Sequence, residues 1–185
     1  MLVVLAMMAL CGRSWAQLDS LYFKNHLVDG RAEEFGMLLL QDSFTVEKVT
    51  PSYIVMRGRY AMEDSCIVHI TKAKNIGKLT QVIVTLPPKT DWSSLNDCYI
   101  SLKEALIMKY GEPHRSVEDF LEPYPEGEEM QAVKDDKVYY TATWGERGEL
   151  TLYLSKKCAV MLRYLNVKNN RESREAITRR IAEDL

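Results

Sequence analysis

Side chains able to do chemistry are dense in one stretch of this chain and thin elsewhere. Between His114 and Asp136, Glu118, Asp119, Glu122, Glu126, Glu128, Glu129, Asp135 and Asp136 are opposed only by Arg115 and Lys134. Clustered carboxylates can hold a cation or meet a basic partner. Calcium needs oxygen ligands converging at close spacing, and Glu126-Gly127-Glu128-Glu129 matches no such loop, so no metal is expected. Tyr124, Tyr139, Tyr140 and Trp144 lie nearby, and Tyr and Trp often anchor interfaces. Tyr124, Glu126, Glu128, Glu129 and Trp144 therefore form the candidate interaction surface, on a segment that Pro123, Pro125 and Gly127 keep irregular and exposed.

Catalytic groups are harder to assemble. A hydrolase needs a nucleophile, a base and oxyanion donors at one point, and the chain has no G-x-S-x-G elbow, H-E-x-x-H, phosphate loop or G-x-G-x-x-G. His26, His69 and His114 are far apart in sequence. His69, with Ile67 and Thr71 on the same strand face, is a candidate base aimed at solvent or a cleft. Cys66, Cys98 and Cys158 are too widely spaced for a zinc motif. Either all three fill the core as small hydrophobes, or one pair forms a disulfide in an oxidising compartment and leaves an odd thiol. No catalytic residue and no cofactor is assigned. Arg163, Lys168, Arg171, Arg174, Arg179 and Arg180 make the C-terminal end basic, but Glu172, Glu175, Glu183 and Asp184 largely neutralise it, which describes a solvated helix face.

The 185 residues carry a formal charge of -2 and a pI near 6.0, so they lack the basic surplus expected of a nucleic-acid partner. The opening segment, MLVVLAMMALCGRSWA, has an apolar run from Leu2 to Leu10, short of the roughly 20 residues that cross a bilayer. Ser14 and Ala16 fit the -3 and -1 positions of a cleavage site, so residues 1–16 read as a signal peptide with Gln17 as the mature terminus. Leu10 before Cys11 argues against lipid anchoring there. The expected product is periplasmic or extracellular, with no transmembrane segment in the mature chain.

The elements that must position these groups follow from periodicity. Trp92, Leu95, Tyr99, Leu102 and Leu106 recur at helical spacing, and the stretch from Asp91 to Pro113 has N-cap candidates at one end and Gly111 with Pro113 at the other. Before it, Asp29 caps a short helix carrying Phe35, Leu38 and Leu39. Strands are expected over Phe44 to Val49, Tyr53 to Tyr60, Cys66 to Lys72 and Leu79 to Leu86, and after it over Lys137 to Trp144, Glu149 to Lys156 and Cys158 to Asn166. Val117 to Leu121 can add an edge. A charged C-terminal helix occupies 170–185. The expectation is one α+β unit over 17–185, with a mainly antiparallel sheet of about seven strands against a central helix. Two helix-plus-meander halves, 27–88 and 89–166, form a possible pseudo-repeat.

His26-Leu27-Val28-Asp29-Gly30, Trp92-Ser93-Ser94-Leu95, Lys109-Tyr110-Gly111-Glu112-Pro113 and the later Tyr139, Trp144 and Cys158 together resemble uncharacterised secreted proteins of Bacteroides-type gut bacteria. In order of elements the chain is also loosely similar to the tandem helix-and-sheet domains of secreted β-lactamase inhibitory proteins. Neither resemblance brings a catalytic residue. The expected function is an exported, non-enzymatic binding protein of the bacterial envelope whose partner is another envelope or extracellular protein. The alternative is a hydrolase acting on an envelope or glycan component.

Overall fold

A computed structural model describes residues 18, 20–125 and 127–185. The expected signal peptide, Cys11 and Glu126 lie outside the described residues. In chain order the elements are β1 (Tyr22–Phe23), β2 (His26–Leu27), α1 (Ala32–Gln41), β3 (Thr45–Val49), β4 (Tyr53–Tyr60), β5 (Glu63–Lys72), β6 (Leu79–Thr85), α2 (Trp92–Tyr110), β7 (Arg115–Phe120), α3 (Glu129–Lys134), β8 (Val138–Trp144), β9 (Leu150–Ser155), β10 (Ala159–Leu165) and α4 (Val167–Glu183).

The α+β architecture is built on an eight-stranded antiparallel sheet ordered β3-β4-β5-β6-β10-β9-β8-β7. That order is a palindrome of two meanders. Each half contributes four strands and one long helix, α1 or α2, the second half adding the short α3, and the halves meet where β6 lies antiparallel to β10, with Ile83 opposite Arg163 and Val84 opposite Leu162. Both halves thus share one sheet. The eighth strand is β7, longer and earlier than the expected edge, while β1 and β2 form a separate two-stranded hairpin.

Helix α1 rests on β4 and β5, and α2 on β9 and β10. Both cover the same face. Side chains alternate along each strand, and the even-numbered positions Met56, Val68, Val84, Leu162, Leu152 and Ala142 are buried beneath the helices. Helix α2 starts on Asp91, whose carboxylate accepts the Ser94 N–H at 2.8 Å and the Ser94 hydroxyl at 2.9 Å, satisfying a free first-turn donor. Its apolar stripe buries Leu95, Tyr99, Leu102 and Leu106. Trp92 packs edge-on against Tyr140 with ring centroids 5.3 Å apart. The helix stops at Gly111, whose φ of 79° favours glycine.

Three local expectations change. Asp29 does not cap α1: Arg31 occupies that position without a side-chain bond, and Asp29 instead accepts from Gly30 N, Asn166 and Asn169. This ties α4 to the start of α1. Helix α4 begins earlier than expected, because Asn166 caps it by accepting the Asn169 N–H at 2.8 Å. The acidic segment is not wholly exposed loop, since α3 buries Ala132 and Val133.

Candidate binding surface on the open sheet face

The odd-numbered sheet positions, joined by Lys48 where a bulge shifts β3 by one residue, face away from α1 and α2. Strand register aligns them in rows that cross the sheet: Lys48, Val55, His69, Ile83, Arg163, Thr151, Thr143 and Arg115 stand side by side, one from each strand. The next row carries Arg57, Ile67, Thr85, Met161, Tyr153, Thr141 and Val117. Most of these side chains are half-buried, screened by their row neighbours. Helix α4 meets the sheet mainly at β6, where Asn169 and Asn170 bond the carbonyls of Leu79 and Thr80. Seven strand spacings of about 4.8 Å and strands about 20 Å long make this face roughly 700 Å², close to the ~800 Å² that each partner gives to a standard protein interface.

Arg163 stands at the centre of the face, on the seam between the halves. One of its terminal nitrogens donates to Thr151 Oγ1 at 3.1 Å, and its Nε is buried without a hydrogen-bond partner. Among the described residues it has no carboxylate partner. Arg57 differs, because Glu47 pairs with it and the Ser65 carbonyl accepts from it at 3.1 Å. Lys48, over the Tyr53 ring at 5.7 Å, and Arg115 mark the two ends of the central row. Desolvation by its neighbours holds His69 below its ordinary pKa, against the opposing pull of Glu47, so His69 is neutral at pH 7. The face therefore offers β-branched, Thr and aromatic side chains around a guanidinium with no carboxylate partner among the described residues. That composition suits a flat protein surface carrying a carboxylate.

The sequence-based candidates scatter. Trp144 is 2% exposed and donates its indole N–H to the Gly111 carbonyl at 2.8 Å. It is a core residue locking α2 to β8, which corrects its placement on an interaction surface. Tyr124 is half-buried, its hydroxyl donating to Asp135 at 3.4 Å; burial first, then Asp135, raises its pKa. Glu128 is exposed, and Glu129 accepts the Gly127 N–H at 3.3 Å. Among the described residues no group of three or more His, Cys, Asp or Glu is placed to hold a metal, and no helix is long and apolar enough to cross a membrane.

Cys66, Cys98 and Cys158 are all free thiols in the structure. The Cys66 thiol lies against the carbonyls of Glu63 and Tyr60 at 3.4 and 3.7 Å, and burial pushes its pKa to about 11. Burial also raises Cys98. Neither is an activated nucleophile. His69 faces the open side while Cys98 sits on α2 beneath the other, so the sheet separates this imidazole from that thiol. His26 Nε2 donates to the Asp42 carboxylate at 3.1 Å.

Sequence proximity groups Arg163 with the basic C-terminal residues and hides its place on the sheet. Its signal was present in the alternation of Met161, Arg163 and Leu165 against Val160, Leu162 and Tyr164. Fold and surface together define an α+β protein with an eight-stranded antiparallel sheet, one face helix-covered and the other open. No family model, curated protein or solved structure matches the chain.

Proposed function

We propose that this chain is an exported binding protein of the bacterial envelope that grips a partner protein with the open sheet face, setting a carboxylate of the partner against Arg163. The observation that carries this reading is the half-buried guanidinium at the centre of a protein-sized face, with no anion of its own among the described residues. Leaving a charge there unpaired is costly, and a partner's carboxylate removes that cost. Export rests on the character of residues 1–16.

Site-specific photo-crosslinking in intact cells tests it. A benzoylphenylalanine at Tyr153, on the open face, is expected to give one discrete protein adduct, whereas the same probe at Met108, 84% exposed on α2, gives none. Arg163→Glu should abolish the adduct and leave the melting curve cooperative. Equal adducts from both positions, or an adduct indifferent to Arg163→Glu, would refute the surface. Recovery of an uncleaved chain from the cytoplasm would refute export.

A further inference from the structure

On the helix-covered side, a cavity of about 250 Å³ opens between α2, the β1–β2 hairpin and the ends of β4 and β10. Its walls include Tyr60, Tyr110, Tyr164, Leu106, Lys24 and Lys109. Among the described residues no Asp or Glu lines it. It lies across the sheet from Arg163 and owes nothing to the open face.

Three phenols share this space. Tyr60 and Tyr164 hydroxyls are 2.8 Å apart, and Tyr110 donates to the Tyr22 carbonyl at 3.3 Å. Burial drives the Tyr60 pKa up to about 12 and that of Tyr164 well above the usual phenol value, and the nearby Tyr110 phenol pushes both further. Tyr60 and Tyr164 therefore keep their protons at neutral pH and act as donors. Between Tyr60 and Tyr164 only one of two hydroxyl protons is used, so the pair can donate once more. Two lysines also line the cavity. Lys24 leans over the Phe44 ring and contacts Asp42 at 3.7 Å. Lys109 lies over the Tyr110 ring at 5.1 Å and has no carboxylate partner among the described residues.

We infer that this cavity is a binding site for a small organic carboxylate with an apolar body, its anionic head on Lys109 and the Tyr60–Tyr164 hydroxyls and its body against Leu106 and the aromatic walls. Apolar walls with a few convergent donors of one charge are the general form of small-ligand sites. The volume lies below the ~300–1,000 Å³ of drug-sized pockets, which limits the ligand to roughly ten non-hydrogen atoms. Lys109, which has no carboxylate partner among the described residues, selects an anion over its neutral isostere, because a charge-assisted hydrogen bond outweighs a neutral one.

Phenylacetate and its neutral isostere phenylacetamide are the probes, titrated into the full chain and followed by NMR. Phenylacetate is expected to shift signals of Tyr60, Tyr110 and Tyr164 saturably and to bind about tenfold more tightly than the amide. Lys109→Gln, on an exposed helix position, should abolish that preference without moving the melting curve. Tyr60→Phe should weaken the anion several-fold and the amide by less. Leu106→Trp, which fills the cavity, should remove both; if it unfolds the chain, Ala105→Trp at the exposed rim serves instead. Equal affinity for anion and amide, no saturable shift up to 20-fold excess over protein, or a preference that survives Lys109→Gln would overturn the inference.

Discussion

Gly58 shows how tightly one residue can be constrained. It points into the helix-covered core on β4, and a Cβ built there would penetrate the Phe44 ring. That ring packs edge-on against Phe23, centroids 6.1 Å apart, and Phe23 stacks on Tyr60 at 5.0 Å. The whole cluster would have to shift, so Gly58→Ala is expected to cost about 1–3 kcal/mol, the usual range for overpacking. Urea denaturation measures it, and a neutral substitution would mean that Phe44 is free to rotate away. Residue-level reading of the sequence was weakest at points like this. The alternation Tyr139, Tyr140, Thr141, Ala142, Thr143, Trp144 reveals two faces but not which is inward, because both carry bulky groups. The helices decide, and they put Tyr140 and Trp144 inside. Likewise the phenols of Tyr60, Tyr110 and Tyr164 come from three elements that are distant in sequence, so no local pattern could have joined them.

At the scale of the element, the informative contact is the Asp29 knot, where the start of α1 meets α4. Burial raises the Asp29 pKa, but the Gly30 N–H and the amides of Asn169 and Asn166, with Lys168 nearby, outweigh it and hold the carboxyl below its ordinary value. A carboxylate whose folded pKa is depressed stabilises fully above its unfolded pKa, near 3.8, and loses that contribution as pH falls through the lower folded value. Asp29→Asn should therefore lower the melting temperature at pH 7, with the deficit shrinking as both proteins are taken to pH 3. A deficit constant with pH would assign the loss to packing. Asn166→Ala removes the α4 cap together with bonds to Val28 and Asp29, and about 1–2 kcal/mol is expected, read by urea denaturation alongside lost helical signal at 222 nm. Elements were the most legible level. Helix α2 and the long strands announced themselves by period and turn residues, because each buries one face. The ends of α1, α3 and α4 did not, since their caps depend on partners elsewhere in the chain.

Across the whole molecule, the seam between β6 and β10 makes two similar halves into one structure. Val82, Val84, Leu162 and Tyr164 along it are buried, and the core clusters run unbroken from Phe35 and Met56 under α1 to Trp144 and Leu152 under α2. Shared burial couples the halves energetically, so neither should unfold alone. The chain provides a natural reporter, because both described tryptophans, Trp92 and Trp144, belong to the second half. Met56 is fully buried on β4 in the first half. Met56→Ala should cost about 2–5 kcal/mol through the cavity it leaves. If the halves are one cooperative unit, that loss appears undiminished in the tryptophan fluorescence transition, coincident with circular dichroism, although no tryptophan lies in the mutated half. If fluorescence keeps its wild-type midpoint while circular dichroism splits into two steps, the seam joins two independently stable meanders. The open face would then be a hinge between them, and Arg163 would sit on that hinge instead of on a rigid platform.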